Sequence, residues 1–191
     1  MLLVISAPSG AGKTTIVKEV LHRFPSFRFS VSATTREMRA GEINGIDYFF
    51  LSKLEFEKKI ANDELVEYEE IYSNYYGTLK SEVEKALVLG ENLLFDVDVK
   101  GGLSIKRKFP QAVAIFIEPP DMEVLKERLE KRGSETEEQI ERRLKRVPME
   151  LEKGAVYDYI IINDELKRAV SEVFEIINNK MKEFPGGTKT Y

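Results

Sequence analysis

The segment Ala7-Pro8-Ser9-Gly10-Ala11-Gly12-Lys13-Thr14 carries the densest chemical signal in the chain, matching G-x-x-x-x-G-K-[ST] with Ala7 in place of the first glycine. Gly10 and Gly12 let the backbone curl until successive N–H groups point at one anion. A helix beginning there adds the positive end of its dipole. Lys13 supplies a mobile charge, and the Thr14 hydroxyl is of the kind that coordinates Mg²⁺, with Thr15 next in the same contact run. Such a loop binds the phosphates of a nucleoside triphosphate and leaves the second substrate open. Asp96, at the end of the apolar run Leu93-Leu94-Phe95, is an acid able to hold Mg²⁺ through water.

These residues need a rigid frame. Apolar runs at Leu2 to Ile5, Leu93 to Val97, Val113 to Ile117 and Tyr159 to Ile162 lack the alternation of a half-wet sheet and read as buried parallel strands. Helix starts are expected at Ser81 with Glu84, at Asp121 after Pro119-Pro120, and at Thr136 with Gln139. Leu166, Ala169, Val170, Val173, Phe174 and Ile177 follow the helical period of one buried face. The first strand runs into the glycine-rich loop, and a helix-like stretch from Thr15 to Phe24 follows it, which is the context that loop requires. Strands alternating with helices predict an α/β layered fold.

Two segments depart from this rhythm. Residues 33–80 carry short β-like pieces such as Tyr48 to Leu51, many tyrosines, and turn signals at Ala40-Gly41 and Asn44-Gly45. Residues 128–148 are densely charged, broken at Gly133-Ser134, and read as nearly free of core residues. Both are expected to be appendages to a core formed by residues 1–32, 81–127 and 149–191. The terminal Pro-Gly-Gly-Thr-Lys-Thr-Tyr is expected to fray.

With 191 residues, 42% of them hydrophobic and 32% charged, the chain has the composition of one folded domain. The absence of Cys excludes thiolate chemistry and cysteine metal sites, and His22 alone builds no histidine site. Any metal must be held by oxygen. No run approaches the ~18 apolar residues of a spanning helix, and the start carries no leader pattern, so a cytoplasmic location is expected. The net charge of −4 argues against nucleic acid or an anionic membrane as partner.

The string Ser30-Val-Ser-Ala-Thr-Thr-Arg36-Glu-Met-Arg39-Ala-Gly-Glu-Ile-Asn-Gly-Ile-Asp-Tyr48, followed by Glu67 and Asn74-Tyr-Tyr76-Gly-Thr78, closely resembles the guanylate kinase family. The resemblance spans essentially the whole chain. It includes the phosphate loop, Asp96-Val-Asp98, Arg132-Gly-Ser-Glu-Thr-Glu and Ile162-Asn163-Asp164. It implies a three-layer P-loop kinase core with a parallel sheet, a GMP-binding insertion at 33–80 and a small lid at 128–148. It implies that Arg36, Arg39, Tyr48 and Tyr76 bind the GMP phosphate, that Ser32, Glu67, Thr78 and Asp98 contact guanine, and that Asn163 belongs to the ATP site. Lys13, Arg36, Arg132 and Arg143 become the catalytic cations, with Mg²⁺ near Thr14 and Asp96.

Elementary chemistry supports each half. Arginines three apart can fork onto one phosphate, and phenol hydroxyls can donate to its remaining oxygens. A carboxylate such as Glu67 can accept from both N1–H and the 2-amino group of guanine, a pair that adenine lacks. Arg142 has Glu138 four residues before it, whereas Arg143 has Gln139 there. Arg128, Arg142 and Arg146 are expected on a solvated face, as are Glu69 and Glu70. Lys100 stands where the family usually has Gln, and the pattern leaves open whether it reaches the phosphates or faces solvent.

The expected function is therefore phosphoryl transfer from MgATP to GMP. The alternatives are a non-catalytic binding module on the same fold and a kinase for another phosphorylated acceptor. The intact Lys13-Thr14 loop argues against the first, and Glu67 with Thr78 and Asp98 argues against the second.

Overall fold

The computed structural model describes residues 1–131, 133 and 136–183. In chain order its elements are β1 (Leu2–Ser6), α1 (Lys13–Arg23), β2 (Phe27–Phe29), β3 (Ser32–Thr34), β4 (Phe49–Phe50), α2 (Lys53–Ala61), β5 (Leu65–Ile71), β6 (Asn74–Leu79) and α3 (Lys80–Val88). The second half adds β7 (Asn92–Asp96), α4 (Val99–Lys108), β8 (Val113–Glu118), α5 (Met122–Lys131), α6 (Glu137–Leu144), α7 (Val147–Gly154), β9 (Tyr159–Ile162) and α8 (Leu166–Glu183).

The four apolar runs are β1, β7, β8 and β9, and with β2 they form an all-parallel sheet in the order β2-β7-β1-β8-β9. Successive side chains of β1 leave opposite faces. Leu3 and Ile5 pack with Ile16, Val17 and Val20 of α1 and with Val173 and Ile177 of α8. Leu2 and Val4 pack with Ala86 of α3 and Ile105 of α4. Strands β1, β7 and β8 are buried between helices and give the three layers, whereas β9, expected to be buried, is an edge strand that alternates, exposing Ile160 and Ile162 and burying Ile161. The chain crosses to one side of the sheet after β1 and to the other after β7, so the crevice at the carboxyl ends of these neighbours is where a ligand fits.

A second sheet, β4-β3-β6-β5, is built from residues 32–79. Phe56 of α2 closes its own small core with Ala33 and Leu65. The start of α2 is fixed by a reciprocal cap in which Ser52 accepts from the Glu55 N–H and Glu55 accepts from the Ser52 N–H.

Several local expectations need correction. Helix α3 starts at Lys80 directly from β6, without Ser81 as a cap, because strand and helix abut. Helix α1 already includes Lys13, so the lysine of the loop sits on the first helical turn. Segment 128–148 is not free of core: Leu129, Ile140 and Val147 are buried. Their signal was a sparse one, Leu125 with Leu129 on α5 and Ile140 with Leu144 on α6, each four apart and surrounded by charge. The start of α6 follows the sequence reading, with Thr136 and Gln139 capping each other. The terminal Pro-Gly-Gly-Thr-Lys-Thr-Tyr and the Ser134 half of the predicted break lie outside the described residues. Among the described residues no helix is long and apolar enough to cross a membrane.

Candidate active site

The loop between β1 and α1 is held from two sides. Gly10 and Gly12 have φ of 94° and 95°, left-handed values that favour glycine, whereas Ala7 has no positive φ and needs none. The N–H of Ala11 donates to the Pro8 carbonyl at 3.1 Å, closing the turn. On one side, a Cβ on Gly10 would sit 3.0 Å from Leu125 and Leu129 of α5. On the other, buried Asn163 donates from Nδ2 to the Ala11 carbonyl at 2.7 Å and leaves no space for a Cβ on Gly12. Asn163, expected at the ATP site, thus lies behind the loop and sets its backbone. Lys13 Nζ meets Asp96 Oδ1 at 2.6 Å and donates to the Val97 carbonyl at 2.8 Å, while Thr14 and Thr15 are exposed at the helix start.

The loop opens into a cleft of about 390 Å³. Its lining includes Ala7 to Gly10, Gly12 to Thr14, Ser32, Arg39, Tyr48, Glu67, Tyr76, Asp96, Asp98 and Arg143. Most of the residues singled out in the sequence are therefore brought to one cavity. Ala11, Thr15, Arg36, Thr78 and Asn163 do not line it, and Arg132 lies outside the described residues.

Strands β5 and β6 place Glu67 and Thr78 opposite one another, and Thr78 is also in register with Ser32. Thr78 Oγ1 donates to Glu67 Oε1 at 2.6 Å from a fully buried position. Burial pushes the Glu67 carboxyl up to about 7, against the lowering effect of the Thr78 hydroxyl and with a further upward push from Asp98. Asp98 caps α4 by accepting from the Gly101 N–H at 2.8 Å, and burial raises its carboxyl as well. Its Oδ2 is buried without a hydrogen-bond partner among the described residues.

In the same cleft, Tyr48 and Tyr76 meet edge to face with centroids 6.1 Å apart. Arg36 lies over Tyr48 and is paired with Glu42 through Nη2 and Oε1 at 2.7 Å. Hydrogen bonding to Glu42 holds the Arg36 guanidinium above its ordinary value and, reciprocally, the Glu42 carboxyl below its own. Arg143, from the charged segment, donates to Ser9 Oγ on the phosphate loop.

Three residues read as solvated are not. Arg146 lines the cleft, 3.7 Å from Asp98 Oδ2 and 3.5 Å from Glu150 Oε1, and Glu150 lines it too. Arg128 donates to the Asn163 carbonyl at 2.8 Å, bracing the residue that sets the loop. Glu69 lines the cleft and pairs with Lys100, so the departing lysine is used as an ion-pair partner. Arg142 and Glu70 are exposed as expected, Arg142 in a 3.3 Å pair with Glu138. The spacing of Arg146 and Glu150, four apart across the start of α7, is the signal that could have placed these two side by side.

No group of three or more acidic or histidine side chains suited to a metal occurs among the described residues. Mg²⁺ carried by substrate phosphates needs only one or two oxygen ligands from protein, and the Thr14 hydroxyl with the Asp96 carboxylate fits that requirement.

The family model described as guanylate kinase matches residues 1–180. A guanylate kinase of Chlorobaculum tepidum is 51% identical over 173 residues, covering 90% of this chain and 89% of its own length. One from Fusobacterium nucleatum is 48% identical over 181 residues, covering 95% and 97%. Among solved structures, a guanylate kinase from Anaplasma phagocytophilum superposes with a TM-score of 0.77 at 30% identity, over 94% of this chain and 85% of its own. With a phosphate loop, a buried carboxylate lining the same cleft and these relatives along nearly its full length, the chain belongs to the guanylate kinase family.

Proposed function

We infer that this chain transfers the γ-phosphoryl group of MgATP to GMP, giving ADP and GDP. The observation that carries the reading is a single cleft lined both by a triphosphate-type loop and by buried Glu67. Glu67 accepts from N1–H and the 2-amino group of guanine, while Ser32, Thr78 and Asp98 complete the base contacts. Tyr48, Tyr76, Arg36 and Arg39 take the GMP phosphate and aim one of its oxygens at the donor. The loop N–H groups of Gly10, Gly12 and Lys13 hold the triphosphate, with Asn163 maintaining the curl of the loop. When bound beside Thr14 and Asp96, Mg²⁺ neutralises charge on the phosphate oxygens.

The phosphate oxygen of GMP forms a bond to the γ-phosphorus as the bond to the β-bridging oxygen breaks, and no enzyme-linked intermediate is required. Lys13, Arg36, Arg132 and Arg143 offset the charge that spreads in the transition state, so positioning and electrostatics supply the acceleration. Segments 33–80 and 128–148 close over the pair and exclude water, which would otherwise hydrolyse MgATP. The reaction belongs to the cytoplasm, where its nucleotides are pooled.

The test is steady-state ADP release with MgATP and, in turn, GMP, AMP, CMP, UMP and dTMP. High turnover with GMP alone is expected. Equal turnover with AMP would overturn the assignment of guanine, and no turnover with any acceptor would leave a binding module.

A further inference from the structure

Glu42 stands in the turn that follows Arg39, six residues after Arg36, where an exposed carboxylate would ordinarily be left to water. Its environment is different. Oε1 accepts from Arg36 Nη2 at 2.7 Å, and Oε2 accepts both from Arg36 Nη1 at 3.0 Å and from the Arg39 N–H at 2.8 Å. The Glu42 N–H in turn donates to the Arg39 carbonyl at 3.1 Å. One side chain therefore ties the guanidinium of the first arginine to the backbone of the second.

The donor count shows what this leaves for a ligand. A guanidinium has five N–H bonds. Two go to Glu42 and a third, from Nη1, goes to the Glu37 carbonyl at 2.6 Å. Among the described residues nothing takes the Nε–H or the outer hydrogen of Nη2, and these two lie on one edge of the plane. That edge is a two-pronged fork of the shape that fits two oxygens of a phosphate. The Tyr48 and Phe50 rings also lie beside the guanidinium, with centroids 5.3 and 5.6 Å from its carbon. Tyr48 also lines the cleft.

We propose that Glu42 is a positioning residue for the acceptor phosphate, clamping the inner edge of Arg36 so that its outer edge is presented, preordered, to the phosphate of GMP. The proposal rests on the reading that Arg36 binds that phosphate. Glu42 acts as a permanent part of the turn because its backbone and side chain both engage Arg39. A carboxylate held only by the guanidinium would instead be a counter-ion for the phosphate to displace. Ordering a long arginine before the ligand arrives removes an entropic cost from binding.

The experiment compares wild type with Glu42→Gln, which keeps the size of the side chain and loses its charge, by calorimetric binding of GMP and of guanosine. GMP affinity and KM for GMP should worsen about tenfold, the scale of one charge-assisted hydrogen bond. Guanosine affinity and KM for ATP should not move, since neither involves the fork. In an Arg36→Ala background, Glu42→Gln should have no further effect on GMP. GMP binding as tight as wild type, or tighter, would overturn the clamp, and so would an equal loss of guanosine affinity, which would report general damage to the insertion. Arg36→Ala with unchanged GMP affinity would overturn the parent reading of Arg36 together with the clamp. Glu42→Asp, which retains the charge at shorter reach, should fall between wild type and Gln by the same two ligands, and it carries the test if Gln impairs folding.

Discussion

Thr78 Oγ1 donates to Glu67 Oε1 at 2.6 Å, and the two residues face each other in register across β5 and β6. A buried carboxylate is thereby held by a neutral hydroxyl, and among the described residues no arginine or lysine is bonded to it. Burial then dominates, and the proton is retained up to about pH 7.

On the reading that Glu67 accepts from guanine, recognition of the base is pH-dependent in a definite direction. Two donors on the base require the ionised carboxylate, so binding should release a proton, and guanosine affinity should rise as pH climbs through about 7. Guanosine is the right probe because the phosphate of GMP itself titrates near ~6. Calorimetry from pH 6 to 8 in buffers of different ionisation enthalpy reads both the affinity and the released proton. A flat profile would contradict the assignment. For stability the sign is opposite to that of a salt-bridged acid: between 4.5 and about 7 the folded state binds more protons than the unfolded, so this group's contribution falls as pH rises. Glu67→Gln should therefore melt closer to wild type, or above it, at pH 8 than at pH 5.5.

Gly101 is where the Glu67 and Asp98 carboxylates leave no space. A Cβ there would sit 2.7 Å from Glu67 Oε2 and 3.0 Å from Asp98 Oδ1. Gly101→Ala should displace these oxygens and weaken GMP affinity by about tenfold or more, while MgATP affinity stays near wild type. Unchanged GMP binding in a folded variant would mean that neither oxygen is used.

Lys13 is held to Asp96 and the Val97 carbonyl. Lys13→Ala should abolish most phosphoryl transfer and leave GMP affinity, measured calorimetrically, largely intact, because its charge addresses oxygens of the donor. Near-normal turnover would remove Lys13 from the catalytic set.

Neighbouring arginines on α6 should separate cleanly. Arg143 reaches Ser9 on the loop, whereas Arg142 is paired at the surface with Glu138. Arg143→Ala should lower kcat more than it raises either KM, and Arg142→Ala should be mild. Hydrogen exchange over 128–148 should slow when a non-hydrolysable ATP analogue and GMP are present together. Because Leu129, Ile140 and Val147 are buried, the slowing should concentrate between these anchors. Matching kinetics for the two variants would set the lid assignment aside.

Much of this site was legible because its chemistry is local in sequence. Gly10 to Thr14 is one contiguous loop, and buried strands such as β1 and β8 announce themselves as unbroken apolar runs. What escaped was set by tertiary contact. Strand β2 is only Phe27–Phe29, too short to show a period. Helix α4 carries Gly101 and Gly102, which weaken its helical signal yet are needed where Tyr157 and the carboxylates approach. Arg146 and Arg128 look like their solvated neighbours until folding brings Asp98 and Asn163 beside them. Glu69 and Lys100 likewise meet only because β5 packs against α4.

The most direct test of the whole account is the ratio of kcat/KM for GMP to that for AMP, in wild type and in Glu67→Ala. A site built to hydrogen-bond its substrate should give a wild-type ratio on the order of 10⁴ or more. In Glu67→Ala the ratio should collapse, chiefly through loss of activity toward GMP. A ratio that stays high in the variant would show that guanine is read elsewhere and would contradict the account at its centre.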